Sequence, residues 1–170
     1  MTRFRVDNRR SEVTVDLRVN LHPSHVRVGR IGGVIDCELG DGGLPRLEAP
    51  YGAQLRIPVA SMKSGNALQD VEMRRRFDTR RHPEIQVDVV RGRVRRQPGE
   101  YHATAVVTMH GVAREISGDV HIRVHGHTMM IEGEHELNIE DFDIDAPRLL
   151  LLRMEPRVTV HARIVAASRG

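Results

Sequence analysis

The residues best able to do chemistry in this 170-residue chain are its ten histidines. Three of them, His121, His125 and His127, share strand parity, so their imidazoles would lie on one face, where a metal could bind. Their spacing matches no standard zinc signature. Ile122 and Val124 take the opposite parity, which suits a core, so these three histidines point to solvent and no metal is expected. His110 reads as a turn residue, and His135 and His161 read as surface or rim residues of strands.

Covalent catalysis finds no foothold. There is no Gly-x-Ser-x-Gly elbow, and "GRIGGV" has neither the spacing nor the following helix of a phosphate loop. The single cysteine, Cys37, stands between Asp36 and Glu38, neighbours that would not lower its pKa. The acidic group Glu140, Asp141, Asp143 and Asp145 reads as a solvated turn at a strand end. No catalytic residue and no cofactor is expected. A pocket that folds a reactive polyene by shape alone would need none of these motifs, so a cyclase or isomerase stays open.

Arginine gathers at Arg74, Arg75, Arg76, Arg80 and Arg81, and again at Arg91, Arg93, Arg95 and Arg96. With 26 basic residues against 23 acidic ones the net charge is only +3, and with no Trp, three Phe and two Tyr the stacking platforms of single-strand binders are scarce. A solvated face is therefore expected, with no nucleic-acid partner. Arg74, Arg75 and Arg76 are instead candidates for the head-group of a phosphate- or carboxylate-bearing ligand, or for transient contact with an anionic membrane surface.

The elements that must position these residues are mostly strands. Val13, Val15, Leu17 and Val19 alternate strictly with polar residues, as a half-buried strand does. Val26 to Leu39 is broken by Gly29, Gly32 and Gly33, which suggests one bent strand or two short ones. Strands follow at Leu55 to Val59, Ile85 to Val90, Tyr101 to Met109, Ile116 to Val124, Met129 to Leu137 and Val158 to Val165. Turns fall at "GDGGLP", "RRQPGEY" and "HGVAR". About eight strands without a βαβ rhythm predict an antiparallel sandwich or barrel. One short helix interrupts them around 66–77. Ser64 or Asn66 can cap it, Asp70 and Glu72 suit its early turns, and His82-Pro83 is expected to stop it.

Length and cysteine content set the outer bounds. The chain suits one domain, 1–170, and one cysteine allows no intrachain disulfide. The opening "MTRFRVDNRRSEV" has no apolar run of signal-peptide length, and no stretch is long and apolar enough for a membrane-spanning helix. The expectation is a soluble, cytoplasmic protein.

The run "SMKSGNALQDVEMRRRFDTRRHPEIQVDV" resembles the YceI-like family of polyisoprenoid-binding, lipocalin-like barrels. Asn66, Asp70, Met73, Phe77, Asp78, His82, Pro83 and Ile85 fall at matching places. "YHATAVVTMHGVAREI" is similar to the family's strand-turn-strand, with Met109, Gly111, Val112 and Arg114. "EGEHELNIEDFDI" is similar to its late strand, ending at Asp141, Phe142 and Ile144. Asp143 and Ala105 stand where the family usually has glycine. The resemblance implies an all-β, antiparallel lipocalin-like barrel of about eight strands, with the helix capping one end and no catalytic residues. Many relatives are periplasmic, which this N-terminus does not support.

An eight-stranded barrel either fills with its own side chains or holds one small ligand. Small inward residues leave space, and an apolar lumen favours an apolar ligand at roughly 25 cal/mol per Å² buried. Parity assigns the wall to Val15, Leu17, Val19, Leu55, Ile57, Ile85, Val87, Val107, Ile122, Val160 and Ile164, and the helical cover to Leu68, Val71, Met73 and Phe77. The leading expectation is a non-catalytic carrier or store for a long apolar lipid such as a polyisoprenoid or isoprenoid quinone. A barrel enzyme using the same pocket, and an interaction scaffold or homodimer with a filled barrel, are the alternatives.

Overall fold

The computed structural model describes residues 1–146, 148–149 and 152–170. Its strands are β1 (Thr2–Val6), β2 (Glu12–Val19), β3 (His22–Val28), β4 (Gly32–Cys37), β5 (Gly52–Pro58), β6 (Met62–Lys63), β7 (Glu84–Val94), β8 (Glu100–Met109), β9 (Val112–His125), β10 (Thr128–Asn138), β11 (Arg148–Leu149), β12 (Leu152–Arg153) and β13 (Arg157–Ser168). One α-helix, α1 (Ala67–Phe77), lies between β6 and β7. None of the described helices is long and apolar enough to cross a membrane.

Three of the walls are interrupted strands. β1 and β2 both pair with β13, through Phe4–Ser168 and Val15–Val160, and so run as one strand along it. β3 and β4 continue each other against β2 and β1, and β5 and β6 do the same against β4 and β3. Counted as walls, these segments and β7, β8, β9, β10 and β13 make an antiparallel barrel of eight strands, which β13 closes onto β1 and β2. Closure leaves no long unpaired edge. The lipocalin-like barrel with one helix, expected from the sequence, is the observed architecture.

Several local expectations change. β1 adds a short strand in which Arg3 and Arg5 flank buried Phe4. The glycine-broken segment forms two strands, β3 and β4. A bulge at Val90 shifts the register of β7 against β8 between Val89 and Arg91, so Val90 lies 49% exposed. His82-Pro83 does not stop the helix. Asp78, in the left-handed region at φ 51°, ends it earlier and donates its backbone N–H to the carbonyls of Arg74 and Arg75.

Topology places α1, the β2–β3 and β8–β9 hairpins and the turn at Ile139–Phe142 that follows β10 at one end of the barrel. The opposite end carries the long loop 38–51 and the β7–β8 and β9–β10 hairpins. Two buried clusters follow this division. One, toward the helical end, contains Val59, Phe77, Phe142 and Ile144. The other contains Phe4, Ile35, Cys37 and Met129.

Candidate functional site: an apolar lumen inside the barrel

Alternation along every wall turns aliphatic side chains into the barrel. On β2 the inward set is Val13, Val15, Leu17 and Val19, and on β13 it is Val158, Val160, Ala162 and Ile164. On β8 it is Tyr101, Ala103, Ala105, Val107 and Met109. These residues surround a cavity of about 490 Å³, within the roughly 300–1,000 Å³ of typical small-molecule sites. Alanines and glycines at inward positions keep it open, since a wall built wholly of Leu and Ile would fill a barrel of this size.

The helical end is held by residues far apart in sequence. Asn66 caps α1 by accepting from the Gln69 N–H at 3.0 Å, and buried Asp70 accepts from the N–H and hydroxyl of Ser64 at 2.8 and 2.6 Å. His82 packs over Gly111, where a Cβ would come within 2.8 Å of its ring. Gly111 also needs its positive φ of 72° for the hairpin. The His110 Nδ1 lies 3.1 Å from the Phe142 carbonyl oxygen, and the His82 and His110 rings meet edge to face at 5.5 Å. Asp143 takes the left-handed backbone at φ 56°, a conformation that glycine adopts at less cost.

The floor is pinned by the chain's two tyrosines. Tyr101 donates its hydroxyl hydrogen to the Pro45 carbonyl at 3.1 Å, and the Tyr51 hydroxyl oxygen accepts from the Gly92 N–H at 2.7 Å, just beyond the bulge. Burial pushes the Tyr101 phenol up, and the Cys37 thiol is raised first by burial and then by Asp36. Both are neutral at ordinary pH.

A family model for the YceI-like domain matches residues 4–166. The chain belongs to the YceI-like family. Among solved structures it is similar to Burkholderia cenocepacia BcnA at 17% identity and a TM-score of 0.78, covering 95% of this chain and 99% of that one. A polyisoprenoid binding domain from Saccharophagus degradans, implicated in plant cell wall breakdown, matches at 17% identity and a TM-score of 0.78 over 99% of this chain and 100% of that one. A Campylobacter jejuni YceI protein matches at 13% identity and a TM-score of 0.66, over 85% of this chain and 84% of that one. At these identities the likeness is one of fold. No curated protein matches the sequence.

Val15, Leu17, Val19, Leu55, Ile57, Ile85, Val87, Val107, Ile122, Val160 and Ile164 border the lumen, as do Leu68, Met73 and Phe77 of the helix. Val71 does not. It is 54% exposed because it lies on the side of α1 turned from the barrel. Arg74 and Arg75 are also off the cavity, whereas Arg76 borders it, with its Nε 2.7 Å from Glu72 and a terminal nitrogen 3.9 Å from Asp145. The three arginines therefore do not converge on one head-group position.

Parity assigned from only some strands missed Ala103, Ala105, Ile116, Val120, Ile131 and Leu137, all of which border the lumen. His135 was misplaced outright. It shares inward parity with Ile131 and Leu137 and stands in the wall. His121, His125 and His127 are exposed, and His161 lies on the outer face between Asp16 and Glu134 at 2.7 and 3.3 Å. Among the described residues no group of three or more His, Cys, Asp or Glu is arranged to hold a metal.

Proposed function

We propose that this YceI-like protein binds one long apolar ligand, a polyisoprenoid, an isoprenoid quinone or a related lipid, inside the barrel, and carries, stores or sequesters it unchanged. The observation that carries this reading is the lumen of about 490 Å³ with an aliphatic wall. Such a surface stabilises hydrocarbon by roughly 25 cal/mol per Å² removed from water. The polyisoprenoid binding domain of S. degradans, which shares the fold, supports the choice of ligand class. Loading would take place at the helical end. Leu68 is 57% exposed yet borders the cavity, and exposed Val71 and Arg75 lie close by on α1, a surface suited to touch the anionic membrane that supplies the lipid.

The test is titration of lipid-stripped protein with a long-chain polyprenol, beside an Ala105→Phe variant whose ring enters the lumen. Saturable one-to-one binding, weakened at least about tenfold in a variant that still folds, and recovery of unaltered polyprenol on extraction are expected. Equal binding by both proteins would place the lipid elsewhere. Recovery of a cyclised or isomerised product would make the protein an enzyme.

A further inference from the structure

Six residues with carboxylate, guanidinium or imidazole side chains border the lumen: Asp36, Glu72, Arg76, Asp119, Glu134 and His135. Five have protein partners. Asp36 pairs with Arg3 at 2.7 Å, Glu72 with Arg76 at 2.7 Å, Asp119 with His102 at 2.9 Å and Glu134 with His161 at 3.3 Å. Among the described residues, no side-chain hydrogen bond reaches the His135 imidazole. No side-chain nitrogen or oxygen there is both sealed from solvent and without a partner, so its unpaired ring nitrogens keep accessible surface, and the residue borders the cavity.

The wall around this imidazole is cut back. His135 on β10 stands opposite Val160 of β13, while on the β9 side a Cβ at Gly118 would lie 3.2 Å from the His135 Nδ1. The ring therefore rests against bare backbone. Glycine inside a strand weakens it and marks a close approach, and here it makes room for the ring. Ala103 faces Gly118 from β8, and Ala162 of β13 faces Gly133, the next inward residue of β10. Four successive walls thus present small side chains around one unpaired imidazole. An imidazole in an apolar lumen costs free energy unless something bonds to it.

We propose that this recess seats the polar group of the ligand, a neutral carbonyl or hydroxyl oxygen hydrogen-bonded to His135, with the hydrocarbon tail lying along the aliphatic wall. The proposal rests on the lipid-binding reading above and adds a selection. A quinone or alcohol head fits the recess. A pyrophosphate head does not, since its charges would leave water for a single imidazole.

The experiment measures the affinity of a prenylated benzoquinone and of a hydrocarbon of matched length for the wild type, His135→Leu and His135→Gln. It also follows the imidazole ¹⁵N shifts of wild-type His135 during each titration. His135→Leu should weaken the quinone about three- to tenfold, the worth of one neutral hydrogen bond, and leave the hydrocarbon unchanged. His135→Gln should recover part of the loss, and the ¹⁵N shift should move with the quinone alone. Equal losses for both probes, or no loss for either, would overturn the role of His135 while leaving lipid binding intact. Failure of the wild type to bind either probe would overturn the lipid-binding reading itself, and this proposal with it.

Discussion

On the outer face of the barrel, Asp16 ties three strands together, accepting from His25 of β3 at 2.6 Å and from His161 of β13 at 2.7 Å. The hydrogen bond from His25, then that from His161, holds its carboxyl below the usual carboxylate range. A depressed folded-state pKa contributes stability that is full above the unfolded-state value of about 4, and that is lost as pH falls through the folded-state value. Asp36, lowered by Arg3, and Asp119, lowered by His102, act in the same direction. Asp16→Asn should therefore melt below the wild type near neutral pH, by a small margin because the pair is solvent-screened. The gap should close as pH falls below the ordinary aspartate range; a gap that persists in acid would mean that packing, not charge, is at work. Wall residues such as Val15, Leu17 and Val160 were legible in the sequence because strand parity has a period of two. His135 was not, because its polarity suggested a surface position while its parity, shared with Ile131 and Leu137, placed it inside.

The helix, its cap and the floor loop work as elements. Asn66→Ala removes the N-cap and should cost about 1 kcal/mol, read as a lower Tm and faster hydrogen exchange at the Gln69 amide. An unchanged exchange rate would mean that the cap does not hold the first turn of α1. Tyr51→Phe should cost about 1–3 kcal/mol, because the Gly92 N–H loses its acceptor beside the bulge; a Tm equal to the wild type would show that water replaces the hydroxyl. Val71→Ser, off the cavity and exposed, should slow lipid uptake from anionic vesicles without changing the affinity of dissolved polyprenol. An unchanged uptake rate would remove α1 from the loading route. The sequence marked this helix well, through its cap and the break in alternation. It placed the end near residue 77 but assigned the stop to His82-Pro83, whereas the left-handed turn at Asp78 acts before Pro83 can.

At the scale of the molecule, eight strands joined in sequence order close into one barrel, with α1 at one end and the tyrosine-pinned loop at the other. That architecture was legible in the regular strand spacing and in motifs such as Asn66, Phe77 and Gly111, which the structure gathers at one end. The interior volume was not legible, because it depends on how alanines and glycines from different strands fall at the same level, as Ala103 and Gly118 do, and single-strand periodicity carries no such register. The central claim is that this interior holds an apolar ligand. Native mass spectrometry of the protein purified from its host, followed by organic extraction, tests it most directly. One stoichiometric, extractable isoprenoid lipid is predicted. A ligand-free mass, together with no uptake of long-chain isoprenoids by the same preparation, would contradict it.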